Sequence, residues 1–134
     1  MSLEEDFAAI PIGLDLGEWE IVLDEKTIKD RAALTQWQTM DVIDKLKAAP
    51  PGQTINLHAK MQFAKFTNLR AAIWAKSEHE FLKPLKMGSK VIIRGKVVDK
   101  YIKRGRLYRV SEFETVDENG DVLMRSRETG IHVE

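Results

Sequence analysis

Cysteine is absent from this sequence of 134 residues. A disulfide scaffold, a thiolate metal site and a cysteine nucleophile are therefore excluded. Histidine is scarce, and His58, His79 and His132 lie far apart along the chain, so we expect no metal site. We expect His79, in a segment of alternating polar residues, at the surface or at a dimer contact. We expect no role for His132, which lies close to the C-terminus.

Neither sign of charge is in excess, because Lys and Arg number 21 and Asp and Glu also number 21. Domains that bind nucleic acid usually carry a basic excess, so we expect no nucleic-acid partner. No apolar run approaches the roughly 20 residues that cross a bilayer, and we expect no membrane contact. The N-terminal stretch is acidic and lacks the basic region of a secretory signal, which predicts a cytoplasmic protein.

The length predicts a single domain, 1–134, in which residues 1–16 form a lead-in segment without regular structure. Alternating apolar residues over 17–24 predict a first strand. Asp24 is a suitable N-cap for a helix from about Lys26 to Trp37. The stretch 38–49 is compatible with a short helix or a loop.

A second helix is predicted after Pro50-Pro51-Gly52, which stops any preceding element. Between Gln53 and Asn68 the apolar residues cover more than one helical face, a pattern typical of a buried helix. From Arg70 the chain favours strands, and four are predicted, over 70–84, 90–103, 106–117 and 121–134.

Tight turns separate these strands at Arg104-Gly105 and at Asn119-Gly120, and Asn-Gly is a strong hairpin signal. A strand, helices and then four antiparallel strands predict an α+β domain. Strands of twelve or more residues exceed the usual length of about five or six. We therefore predict a curved antiparallel sheet that wraps around a central buried helix.

Two segments carry a resemblance to a known family. Residues 81–88 read Phe-Leu-Lys-Pro-Leu-Lys-Met-Gly, and residues 117–120 form an acidic turn that ends in glycine. Together with the helix after Pro51, they resemble the MaoC-like branch of the hotdog fold, over about 17–129. The resemblance implies a hotdog domain that joins a second one edge to edge, in a homodimer or in a heterodimer with another hotdog chain.

The resemblance also implies chemistry on an acyl thioester carried by coenzyme A or acyl carrier protein, with no other cofactor. Many MaoC-like proteins hydrate a trans-2-enoyl thioester or dehydrate a 3-hydroxyacyl thioester. They use an Asp and a His in a G-D-x-N-P-x-H type motif before the buried helix, and these residues activate water and move a proton.

Two alignments place that motif, and each lacks half of the pair. In one alignment Gly52 and His58 match the motif's glycine and histidine, but Gln53 stands at the aspartate. In the other, which suits the distance to Phe81 better, residues 50–68 form the buried helix. The catalytic loop then falls in 36–49, which holds Asp41 and Asp44 but no histidine.

The candidate catalytic residues are accordingly Asp41 and His58, which would act together in a rearranged site. The alternatives are that His58 is hydrogen-bonded to a neighbouring strand and that Asp41 is a solvated or capping carboxylate. Lys103, Arg104 and Arg106 are candidates for binding the phosphates of coenzyme A or an acidic carrier protein. The alternative is that these cations are simply the solvent-exposed side chains that keep a surface turn hydrated.

Three functions stay open on this basis. The first is an acyl-thioester hydratase or dehydratase with a diverged site. The second is a non-catalytic, acyl-holding subunit whose hotdog partner carries the Asp–His pair. The third is a hotdog thioesterase, for which the sequence shows no motif.

Overall fold

The computed structural model describes residues 2–38, 40–66, 69 and 71–134. The helices are α1 (Leu3–Ala8), α2 (Glu25–Leu34), α3 (Met40–Leu46) and α4 (Ile55–Lys65). The strands are β1 (Asp15–Val22), β2 (Ala71–Phe81), β3 (Lys90–Lys103), β4 (Arg106–Asp117) and β5 (Val122–Val133). The predicted helix end at Asn68 and strand start at Arg70 lie outside the described residues.

All five strands form one antiparallel sheet in the order β1-β3-β4-β5-β2, so β1 and β2 are its edges. The helix α4 packs on the inner face, where Met61 meets Ile93 and Phe113 in one apolar cluster. The predicted α+β class, with a curved antiparallel sheet around a buried helix, is confirmed. The strands predicted over 90–103 and 106–117 match β3 and β4 to the residue.

The prediction that residues 1–16 lack regular structure is wrong, because α1 lies within them. The backbone N–H of Glu5 donates to the Ser2 hydroxyl, and that hydroxyl also contacts the Glu5 carboxylate. Ser2 is therefore the N-cap of α1, and its spacing from Glu5 is the sequence signature of a capping box. Phe7 then buries its ring in the core, which fixes the short helix on the sheet.

The predicted N-cap of α2 is confirmed, since the Asp24 carboxylate accepts the backbone N–H of Thr27 at 2.7 Å. This bond holds the pKa of Asp24 below its usual value. The helix ends at Leu34, short of the predicted Trp37, because Gln36 has a φ of 58° and leaves helical geometry. The ambiguous stretch after it contains α3.

The core lies toward the β1 edge of the sheet. One apolar cluster joins α1 and α4 to β1, β3 and β4, and a second joins α2 and α3 to the start of β3. Toward the β2 edge the interior is polar, and on α4 itself His58 and Gln62 are buried while Phe63 is 41% exposed. The prediction of a helix buried through its apolar residues therefore holds only in part.

The β3–β4 turn offers a direct test of backbone strain. Arg104 has a φ of 52° and Gly105 a φ of 74°, so both central residues are left-handed. Asn tolerates this conformation better than Arg, and Asn-Gly is the preferred pair for such a hairpin. We expect Arg104→Asn to raise the free energy of unfolding by about 0.5–1 kcal/mol in urea denaturation. Lys103→Asn, at the neighbouring position without a positive φ, is the matched control and should give no gain.

Candidate functional site

A small pocket opens between α4 and the first residues of β2, with a volume of about 60 Å³. We call it the α4–β2 pocket. Its rim is apolar and exposed, and is formed by Phe63, Ile73 and Trp74. Its floor is polar and buried, and is formed by Gln62, Arg109, Glu128 and Thr129. The pocket thus combines an apolar wall with convergent polar groups, as small-molecule sites do.

The buried polar groups come from alternate positions of two neighbouring strands. On β4 they are Arg109 and Ser111, and on β5 they are Ser126, Glu128 and His132. Side chains two residues apart point to the same face of a strand, so all of these face α4. The same face of β3 carries Ile93 and Val97, which explains why the interior changes from apolar to polar across the sheet.

The centre of this polar interior is a pair formed by His58 and Glu128. The Nδ1 of His58 lies 2.6 Å from a carboxylate oxygen of Glu128, and the two side chains are 0% and 6% exposed. The imidazole also stacks on the Phe113 ring, with centroids 4.2 Å apart and planes 5° from parallel. Its other nitrogen, Nε2, is buried and has no hydrogen-bond partner in residues 2–38, 40–66, 69 and 71–134. Glu128 lines the pocket, whereas His58 lies behind it.

Gln62 connects this pair to the next strand. Its carbonyl oxygen accepts the Ser111 hydroxyl at 2.9 Å, and its amide donates to the backbone carbonyl of His58 at 3.3 Å. Both ends of the amide are therefore used, which fixes its orientation at the pocket floor.

Arg109 is the buried cation of the site, with 5% exposure. Its guanidinium lies over the Phe66 ring, 4.9 Å from the centroid, and donates to Nε2 of His132. Among the described residues, its Nε has no hydrogen-bond partner. Burial lowers the pKa of Arg109 to about 10, and the negative charge of Glu128 opposes part of that change.

His132, for which the sequence predicted no role, is 2% exposed and holds Arg109 in place. Burial, and then the charge of Arg109, lower its pKa to about 4. The imidazole of His132 therefore stays unprotonated in the native state at pH values where the unfolded chain, with a pKa of about 6.5, takes up a proton. The contribution of this lowered pKa to the free energy of unfolding is fully present above about pH 6.5. It is lost as the pH falls toward 4.

We expect that loss to reach about 3 kcal/mol for His132. In His132→Gln the amide oxygen still accepts from Arg109 but takes no proton, so the variant should lose less stability between pH 7 and pH 4.5. Urea denaturation at a series of pH values measures the difference. Equal losses in the two proteins would contradict the conclusion that His132 causes the loss of stability at low pH. Burial also lowers the pKa of His79, but that residue is the same in both proteins.

The pairing of Asp41 with His58 is corrected by the structure. Asp41 is exposed in the first turn of α3, and the carboxylate that contacts His58 is Glu128 on β5. The alternative reading of His58, as a residue hydrogen-bonded to a neighbouring strand, describes its position.

Asp44 forms an ion pair with Lys29 at 2.8 Å, which lowers the pKa of Asp44. The other expectation, for His79, fits its half-buried place on the edge strand β2, where it bonds Ser126 at 2.6 Å.

The predicted phosphate-binding residues Lys103, Arg104 and Arg106 are exposed around the β3–β4 turn. A strand rises about 3.4 Å per residue, so Arg106 lies about 10 Å along β4 from Arg109. The structure therefore sets the basic turn at the same end of β4 as the α4–β2 pocket. Lys100, their neighbour in sequence, instead donates to the backbone carbonyls of Phe7 and Ala8.

Sequence reasoning missed Arg109 and Glu128. The alternation of Ser126, Glu128 and His132 was the available signal, because it places three polar residues on one face of a strand. Periodicity does not say which face of β5 turns inward, and the exposed Arg125 and Arg127 on the other face are just as polar.

The outer face of the sheet carries a larger concavity, about 590 Å³ in volume. It is open, and several of its charged side chains form ion pairs. Glu114 contacts Arg94 at 3.1 Å and Arg125 at 3.5 Å, and Arg125 also reaches Glu80. Exposed pairs of this kind are typical of a solvated surface, so we place the functional site at the α4–β2 pocket.

Comparison with solved structures defines the class of fold. The chain is 14% identical to a chain of the truncated HadBC complex, a 3R-hydroxyacyl-ACP dehydratase from Mycobacterium tuberculosis, with 90% and 96% of the two chains covered and a TM-score of 0.74. It is 16% identical to a MaoC-like dehydratase from Rhodospirillum rubrum, with 100% and 98% covered and a TM-score of 0.69.

It is also 13% identical to smu.793 of Streptococcus mutans bound to acetyl CoA, with 93% and 85% covered and a TM-score of 0.63. No family model and no curated protein matches the chain. The chain thus has the hotdog fold that the sequence predicted, and its structural neighbours include hotdog hydratases and dehydratases. Among the described residues, no helix is long and apolar enough to span a membrane.

Proposed function

We propose that this chain binds the acyl group of an acyl thioester in the α4–β2 pocket, as the acyl-holding subunit of a two-subunit hotdog hydratase or dehydratase. One observation carries the proposal. The imidazole of the His58–Glu128 pair is sealed from the pocket, because His58 is 0% exposed, is covered by Phe113 and does not line the pocket. A general acid or base must come within hydrogen-bond reach of the proton that it moves.

The pocket and its surroundings support ligand binding. The apolar rim of Phe63, Ile73 and Trp74 suits an acyl chain, and buried polar groups can fix its orientation. The exposed cations Lys103, Arg104 and Arg106 lie around the β3–β4 turn, at the same end of β4 as the pocket, where they would contact the phosphates of a coenzyme A or a carrier protein. The resemblance of the fold to a chain of HadBC and to an acetyl CoA-bound protein agrees with this proposal.

The partner would join at β2. This strand is an edge of the sheet, so one row of its backbone N–H and C=O groups has no strand to pair with. Its residues are half-buried or exposed along the whole strand, including Ile73, Trp74 and Phe81. A second hotdog chain that pairs there would cover the rim of the pocket and bring its own Asp–His pair to the acyl group.

A second candidate function, catalysis by this chain itself, rests on a different observation. The Glu128 carboxylate lines the pocket and is oriented by His58 behind it. In that arrangement Glu128 would serve as the general base that activates water, and His58 would position it.

The test measures crotonyl-CoA hydration by the purified chain, as loss of enoyl-thioester absorbance, with calorimetry for binding. We expect binding without turnover, and turnover when a hotdog protein with an intact Asp–His motif is added. The same partner with its histidine replaced is the matched control and should stay inactive. Turnover by this chain alone that is lost in Glu128→Gln but kept in Asp41→Asn would establish the second candidate. Release of free coenzyme A thiol would instead indicate a thioesterase.

A further inference from the structure

Arg109 presents unused donors at the inner end of the α4–β2 pocket. One guanidinium nitrogen donates to His132, but Nε has no partner within the part of the chain that the structure describes. Among the described residues, no carboxylate oxygen lies within 4.0 Å of this guanidinium. A buried cation without an ionic partner is costly to a fold, which suggests that its partner is a ligand.

The chain keeps space open at the guanidinium. Arg109 pairs with Gly130 across β4 and β5, and a Cβ at Gly130 would lie 3.1 Å from Nη2 of Arg109. The neighbouring lining residues Ala59 and Ala72 are also small. The volume of about 60 Å³ is small, so the pocket suits a carboxylate on a short chain better than a long alkyl tail.

Glu128 is the charge that opposes an anion in this pocket. Its carboxylate is already engaged by His58 at 2.6 Å. Among the described residues Glu128 forms its ion pair with His58 and none with Arg109, so the Arg109 guanidinium keeps donors for an anion. His132, the other titratable group in contact with Arg109, is a hydrogen-bond acceptor there and must be neutral.

We infer that the acyl group held by this chain ends in a carboxylate, which Arg109 binds through its free guanidinium donors. The substrate class is therefore a short dicarboxylic acyl thioester. The planar fork of a guanidinium matches two carboxylate oxygens, and such charge-assisted hydrogen bonds are among the strongest in proteins. This inference rests on the proposed function, since it names the ligand of the same pocket.

The experiment is isothermal titration of the full chain with two esters of similar shape, succinyl-CoA and 4-methylpentanoyl-CoA. The first ends in a carboxylate and the second in an apolar fork of the same size. We expect succinyl-CoA to bind about tenfold tighter or more, and Arg109→Gln to remove that preference. Arg109→Lys keeps the positive charge but not the forked guanidinium, and should retain part of the preference for succinyl-CoA.

Three controls separate the possible outcomes. Arg106→Gln, at the basic turn, should weaken both esters equally, and Arg94→Gln, on the outer face, should change neither. Coenzyme A without an acyl group tests whether Arg109 binds a phosphate instead, because its affinity would then fall in Arg109→Gln. That result would overturn the inference.

The inference is also overturned if the wild-type chain binds the two esters equally, or if its preference survives in Arg109→Gln. Failure to bind either ester or coenzyme A, by a chain that circular dichroism shows to be folded, would overturn the proposed function itself. If Arg109→Gln does not fold, the comparison of the two esters on the wild-type chain still tests whether the pocket prefers an acyl group that ends in a carboxylate.

Discussion

Replacing Glu128 by Leu is expected to lower the free energy of unfolding by about 3 kcal/mol, although the new side chain is apolar and similar in size. The cause is His58, which would keep its buried place with neither ring nitrogen hydrogen-bonded, since Nε2 already lacks a partner. Glu128→Gln retains an acceptor for Nδ1 and should cost about 1 kcal/mol or less. Guanidinium denaturation measures both values.

The double variant His58→Leu with Glu128→Leu provides the decisive control. Removing both partners of a buried polar pair is less costly than removing one, so the double variant should be more stable than Glu128→Leu alone. Strictly additive losses would show that the two side chains do not depend on each other. The contact seen between them would then have no energetic role.

The second large effect is expected at Phe113, whose ring is 2% exposed, stacks on His58 and packs in the main apolar cluster. Phe113→Ala should cost about 3–5 kcal/mol, the range for truncating a buried aromatic residue. Thermal or denaturant unfolding checks the value, and a loss below about 1 kcal/mol would mean that the site collapses around the cavity.

Gly95 on the neighbouring strand allows a sharper version of this test. A Cβ there would lie 2.5 Å from two carbons of the Phe113 ring, so the ring must shift in Gly95→Ala. We expect a cost of about 1–3 kcal/mol in the wild-type background. In the Phe113→Ala background the nearest remaining atom is the backbone oxygen of Glu112 at 3.3 Å, and the cost should be clearly smaller. If Gly95→Ala costs the same in both backgrounds, the Phe113 ring is not the group that a side chain at position 95 clashes with.

Function and stability share residues in this interior. His58 and Gln62 on α4 bond to each other and to β4 and β5, and they also support the floor of the α4–β2 pocket. Variants meant to test ligand binding should therefore be checked for folding first. Conservative changes, such as Glu128→Gln and Arg109→Gln, keep hydrogen-bonding capacity and are the informative ones.

The strands after residue 90 were predictable because local signals agree there. Arg104-Gly105 and Asn119-Gly120 fix two turns, and the long alternating segments between them favour extended backbone. The helix α1 was predictable in principle, from the spacing of Ser2 and Glu5, but its few residues gave too weak a periodicity. The end of α2 was misplaced because nothing local marks Gln36 as left-handed.

The site was predicted only in part. His58 was identified as a candidate because one alignment places it at the motif's histidine, but its partner was not, because Glu128 follows it by 70 residues. A pairing over that distance depends on which face of β5 turns inward and on the register between α4 and the sheet. Neither is encoded in a local pattern, and Asp41, which is closer in sequence, was the natural but mistaken choice.

The sequence by itself determined the class of fold, since turn residues, alternation and one apolar helical segment together allow few arrangements other than a sheet wrapped around a helix. Only the tertiary structure decided that the interior near β2 is polar, that His58 is sealed behind Glu128 and that Arg109 faces a pocket. The physical reason is that burial and ion pairing depend on distances across the sheet. Strand order and register set those distances, and both emerge only when the whole chain packs.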